Sequence, residues 1–191
     1  MKFNYYAFKA IYLHEMDRFR RTLMQSLLSP VLSTSLYFIV FGSVIGGYVQ
    51  KIDGISYGSY IVPGLLMLTL LTQSISNTSF GIFFPKFNGT IYEILAAPIS
   101  TLEIVLAFVG AGATKTLIVG LMIFLTSTFF VEVEVKYPLL MIFLLVLVSF
   151  TFALFGFLIG LMSSNFEQMS IIPSLVTVSY THLRAHETQQ H

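Results

Sequence analysis

The 191-residue chain contains no cysteine, and only 10% of its residues are charged. The first absence excludes disulfides and thiolate metal sites. The second sets the chain apart from soluble domains, in which roughly a quarter of residues are charged. Hydrophobic residues make up 55% of the sequence and mean hydropathy is +0.83, the composition of a membrane protein, with one membrane domain enough for the length. A formal net charge of +1, with no Lys/Arg-rich run, gives no reason to expect a nucleic-acid partner. Residues 1–29 do not read as a signal peptide, because their charges are scattered and no isolated apolar core stands among them. No Ser/His/Asp grouping and no metal-ligand cluster is legible, so the chain is not expected to be an enzyme. Gly110 to Thr116 imitates a phosphate-binding loop, but Thr114 stands where that loop needs the glycine before Lys115, and no soluble strand precedes it.

What is present is a series of apolar runs. Residues 3–29 read as one amphipathic helix, with Phe8, Tyr12, Met16, Phe19, Leu23 and Leu27 on one stripe. His14, Asp17, Arg18, Arg21 and Gln25 fall on the other side, and Glu15 at the stripe's edge. Such a helix is expected to lie in the headgroup plane. Residues 30–49 form a first span, uncharged over a length that matches a hydrocarbon core of about 30 Å, with Pro30 in its first turn and a close-packing pair at Gly42 and Gly46. A second span covers 59–84. Thr69, Gln73 and Ser76 share one of its faces with Asn77 beside them, either as the lining of a transport path or as helix–helix hydrogen-bonding groups. The third span is placed at 112–131, because a lysine at the bilayer centre costs about 2.5–3.5 kcal/mol. Starting there puts Lys115 about 4.5 Å inside the boundary, where it can snorkel out, and leaves the turns before Gly112 as an extension beyond the core. Residues 138–162 form a fourth span with a second close-packing pair, Gly156 and Gly160. Residues 169–177 begin a fifth.

The last stretch departs from this pattern. Residues 178–191 read as a translated sequencing-library adapter, and an artefactual tail is expected there, which also discounts the metal-like spacing of His182 and His186. Two glycosylation sequons, at Asn77 and Asn88, fall within a span and on the expected inner side, where neither would be used. Lys2, Lys9, Arg18, Arg20, Arg21 and Lys86 gather on one side of the proposed spans, against Lys51 and Lys136 on the other. The positive-inside rule then places the N-terminus in the cytoplasm.

Between the second and third spans lies a polar island, residues 87–103. Thr90 to Glu93 and Ser100 to Glu103 both have the form of a capping box, and Pro98 between them ends the first short helix while restricting Ala97. The run from Asn88 to Ala107, NGTIYEILAAPISTLEIVLA, resembles the loop after the second span in the ABC-transporter type-2 permease family. Tyr60 to Leu66, YIVPGLL, resembles the start of that family's second span. The likeness covers residues 3–177. It implies an all-α integral membrane fold: an N-terminal interfacial helix, four complete transmembrane helices and the start of a fifth, and a short cytoplasmic coupling helix between spans two and three. It also implies the permease half of an exporter of polysaccharide, lipid or drug in the bacterial inner membrane. Such a permease pairs with a second copy of itself and with two ABC ATPase subunits, which bind the ATP and Mg²⁺. Glu93, Ile94, Leu95 and Pro98 match the segment that would receive the ATPase's motion, an ordinary capped loop being the plainer reading. Two rivals stand beside this one. An ion- or proton-coupled secondary transporter would need an ionisable group in a span, and every carboxylate lies outside the spans or at their edges. A non-transporting scaffold would explain the glycine pairs but not the doubled capping signal.

Overall fold

A computed structural model describes residues 3–40, 51–52, 55–131, 135–169 and 174. Six helices account for nearly all of them: α1 (Tyr5–Arg21), α2 (Leu23–Tyr37), α3 (Tyr57–Asn88), α4 (Ile91–Ala96), α5 (Thr101–Phe130) and α6 (Pro138–Met162). Two short strands, β1 (Lys51–Ile52) and β2 (Ile55–Ser56), pair antiparallel ahead of α3. Among the described residues four helices are long and apolar enough to cross a membrane: the one containing α2, and α3, α5 and α6. The fold is that of an all-α integral membrane protein. The Gly42–Gly46 pair, Glu132 and Glu134, most of the fifth apolar segment and residues 178–191 lie outside the described residues.

The N-terminal region differs from its expected form. One helix was expected to run to Ser29, with Pro30 opening the next. Instead the break comes at Thr22, where φ −104° and ψ 14° leave the helical region. The Thr22 hydroxyl lies within hydrogen-bonding distance of the carbonyls of Arg18 and Phe19, at 3.2 and 3.3 Å, and its N–H donates to the same two oxygens. A side chain that bonds its own preceding turn competes with helix continuation. Pro30 then lies inside α2, buried, and its carbonyl accepts from Thr34 at 2.5 Å.

α1 and α2 run alongside α5 in the same direction. Contacts pair Asn4 with Glu103, Tyr12 with Thr114, Glu15 with Lys115, and Phe38 with Phe130. The apolar stripe of α1 therefore packs on protein, with Ile11 against a core of Ile82, Ile104, Phe108, Val109, Ala113, Ala153 and Phe157. A second core joins Leu66, Leu70, Val119, Ile123 and Leu145, with Leu27 of α2 against it. α3 and α5, of 32 and 30 residues, would extend about 48 and 45 Å, well beyond a hydrocarbon core of about 30 Å. Each therefore has turns to spare, and α4 joins them at one end of the bundle.

α3 meets α6 through backbone. A Cβ at Gly156 would stand 2.5 Å from the Ile75 carbonyl oxygen and 2.8 Å from its Cα. One at Gly160 would stand 2.5 Å from the Ser79 carbonyl oxygen and 2.9 Å from its Cα. Backbone atoms cannot rotate aside, so the two glycines set the helix separation. Lys86 adds a tie at the end of α6, donating to the carbonyls of Leu161 and Ser163 at 2.7 and 2.9 Å, where the last turn leaves acceptors unfilled. Gly156→Ala and Gly160→Ala should each destabilise the bundle by about 1–3 kcal/mol through overpacking. Gly64→Ala, where no atom lies within 4 Å, should leave it unchanged or firmer. Thermal unfolding of the three variants in detergent separates the two cases.

Candidate functional site

The turn between α3 and α5 is built from local chemistry. Gly89, at φ +79°, reverses the chain after α3, a conformation that costs other residues a Cβ clash. The capping box expected at Thr90 does not form. Thr90 has helical angles (φ −63°, ψ −18°) instead of the extended ones a cap requires, and its side chain makes no cap bond. The Glu93 N–H that the box would use already donates to the Thr90 carbonyl, as the Tyr92 N–H does to Gly89. α4 ends at Ala96, and Ala97 is extended at φ −74°, ψ 151°, as the residue before Pro98 should be. The second box does form. Ser100 is extended, its hydroxyl accepts from the Glu103 N–H at 3.4 Å, and its own N–H donates to the Glu103 carboxylate at 2.9 Å.

α4 is amphipathic over its short length. Ile91, Ile94 and the following Ile99 pack against the core around Ile104 and Phe108. Tyr92, Glu93, Leu95 and Pro98 face outward, Leu95 being 62% and Tyr92 73% exposed. The four candidate coupling residues thus divide: Ile94 anchors the helix, while Glu93, Leu95 and Pro98 present an outer surface. The start of α1 is fastened beside them. The Asn4 N–H donates to the other Glu103 oxygen at 2.5 Å, and the Asn4 amide reaches the Pro98 carbonyl at 3.5 Å. Glu103 is consequently buried, with backbone N–H groups on both of its oxygens.

The polar residues of α3 also divide. The Thr69 hydroxyl bonds the Leu65 carbonyl of its own helix, Gln73 and Asn77 are half-buried, and Ser76 is exposed. A different set turns inward. Ser74 is fully buried and donates to the Ser149 carbonyl of α6 at 2.6 Å, while Thr78 packs against Gly112 of α5. Thr69, Gln73, Ser76 and Asn77 therefore lie on the less buried side of α3, away from the Ser74 contact with α6.

The sequence reading missed one group of charges. Lys115 does not reach outward: its Nζ is buried and lies 2.8 Å from Glu15 Oε2 of α1. Arg18 approaches the same oxygen at 2.7 Å and sits over the Phe80 ring, 5.7 Å from its centroid. The Glu15 and Lys115 side chains are only 3% and 4% exposed, so solvent screens little of their attraction. Removing Glu15 would leave Lys115 as a bare buried charge, at a cost of about 3–5 kcal/mol, whereas removing Lys115 leaves Glu15 still paired with Arg18. Gly81 of α3 makes the room: a Cβ there would lie 3.3 Å from Glu15 Oε2. The signal available beforehand was an acid in phase with the Tyr12–Phe19 stripe and a single lysine in an apolar run. Among the described residues no group of His, Asp or Glu is placed to hold a metal ion. The loop-like run at Gly110 lies within α5 as regular helix.

Comparison with known proteins agrees with this architecture. The sequence profile of the ABC-2 type transporter family matches residues 6–183. The inner membrane transport permease YadH of Escherichia coli K12 is 37% identical over 177 residues, covering 93% of this chain and 69% of that protein. The permeases of the same name from Escherichia coli O157:H7 and Shigella flexneri match equally. No solved structure matches significantly. With four helices among the described residues long and apolar enough to cross a membrane and both measures of similarity covering most of its length, the chain belongs to the ABC-2 type transporter family of membrane permeases.

Proposed function

We propose that the chain is the permease subunit of an ATP-driven exporter and that α4 is the element through which a separate ATPase acts on it. The observation that carries this reading is the exposed outer face of α4, which joins the two longest helices and packs on the core through Ile91 and Ile94. A push on Glu93, Leu95 and Pro98 is passed to the core through Ile91 and Ile94, and so to the adjoining ends of α3 and α5. The N-terminus and α4 lie on the cytoplasmic side of a bacterial inner membrane in this reading, where ATP and Mg²⁺ are held by two ATPase subunits serving a permease pair. Thr69, Gln73, Ser76 and Asn77 are the proposed lining of the path for a polysaccharide, lipid or drug.

The buried Glu15 gives one specific reason to weigh a proton-coupled secondary transporter. Among the described residues its Oε1 is buried with no hydrogen-bond partner, an unusual state for a carboxylate. Two cations, Arg18 and Lys115, already hold Oε2, however, so the carboxylate serves as the shared counter-charge of an ion-pair cluster that ties α1 to α5.

Reconstitution of the permease with its ATPase in liposomes should give substrate export that stops when ATP hydrolysis is blocked. Export that follows an imposed proton gradient and ignores ATP would replace this reading with the second one. In the same assay Glu93→Ala combined with Leu95→Asp should lower transport per ATP hydrolysed by tenfold or more. Because both side chains are exposed, membrane insertion and thermal midpoint should stay native. Native coupling in that double variant would remove α4 as the contact.

A further inference from the structure

We propose that Glu15 is a positioning residue: by pairing with Lys115 of α5 while its carboxylate lies against Gly81 of α3, it fixes α1 in register so that α1 and the α4-proximal half of α5 move as one body. This deepens the permease reading and rests on it.

Three observations lead here. The contacts between α1 and α5 advance together along both helices, from Asn4–Glu103 through Tyr12–Thr114 at 3.0 Å to Glu15–Lys115. Apolar burial on α1 is slight, with Phe19 the one apolar residue of that helix that is buried rather than half-exposed. Hydrophobic contact is non-directional and would tolerate sliding. The polar contacts would not. A shift of α1 by one helical turn, about 5.4 Å, would carry the Glu15 carboxylate away from Lys115 and leave two opposite charges buried apart.

The third observation concerns α3. Gly81 faces both the Glu15 carboxylate and the Arg18 guanidinium, at 3.3 and 3.6 Å from its would-be Cβ, and Phe80 beside it meets Arg18 through its ring. The carboxylate therefore sits where three helices converge, α1, α3 and α5, two of which α4 joins. A displacement of α4 that separated α3 from α5 would open this point along with the core around Ile82 and Ile104. With the carboxylate in place, α1 travels with α5. Arg18, 28% exposed, stays at the rim and keeps one counter-charge on Glu15 whatever α5 does.

The absence of cysteine gives a clean background for labelling. Spin labels at Lys9→Cys and Leu102→Cys, both exposed, report the α1–α5 separation by electron paramagnetic resonance. In the complex with its ATPase, the distance should be single and narrow, and the same with and without ATP. In Glu15→Gln/Lys115→Met, which removes both buried charges together, the distribution should broaden and transport per ATP should fall at least tenfold, with the thermal midpoint close to native. Lys115→Arg with Glu15 intact keeps the ion pair and should leave both readouts native. Lys115→Met alone, which keeps the Glu15–Arg18 pair, serves if the double variant does not fold, with the same broadening expected. A folded neutral variant with a native distance and native coupling overturns the proposal, as does a native distance that changes with nucleotide. If the native complex hydrolyses ATP without transport, the permease reading fails. The label distances in detergent then still decide whether Glu15 holds α1.

Discussion

A charge removed from water must find its opposite, and in this chain the requirement is met by bringing together residues far apart in sequence. Glu15, Arg18 and Lys115 meet at one point, which ties α1 to the bundle together with the Asn4–Glu103 and Tyr12–Thr114 bonds. The attachment has consequences beyond its own contacts. It puts α1 lengthwise along α5 and turns its apolar stripe toward Ile104 and Phe108. It also makes Gly81 a position where bulk is excluded by a carboxylate on another helix.

The remaining helices are joined by a different kind of contact. Gly156 and Gly160 bring the backbone of α6 against that of α3, and the Ser74 hydroxyl bonds across the same seam. Gly112 and Gly120 of α5 admit Thr78 and Leu70 of α3 in turn. α3 thus meets α5 and α6 through small residues, with main chains in close approach against α6, and meets α1 where the charges gather. Lys86 closes the arrangement at the α4 end by bonding the last carbonyls of α6. Displacing the end of α3 would therefore act on α6 as well as on α5.

Much of this was legible from residue order. Hydropathy marked the apolar helices, Pro98 marked the extended Ala97, and Ser100 with Glu103 marked the start of α5, because each rests on chemistry within one turn of helix. The failures share a cause. Thr90 and Glu93 have capping spelling, but Gly89 turns the chain so that backbone carbonyls take the N–H groups first. Pro30 looked like a helix start, yet Thr22 had already broken the chain through its own hydroxyl. The pairing of Glu15 with Lys115 spans 100 residues, beyond any periodicity, although each stood out as a charge on an apolar face. The candidate site was readable as a segment, while the division between Ile94 and its outward neighbours required the packed core.

The bond from Asn4 to Glu103 is made by a peptide nitrogen. Its presence therefore does not depend on which side chain position 4 carries, although the Asn4 side chain adds an N-cap on Ala7 and a contact with the Pro98 carbonyl. Proline alone lacks the hydrogen, so the start of this chain is pinned to the turn after α4 by a constraint that almost any spelling of the N-terminus would satisfy.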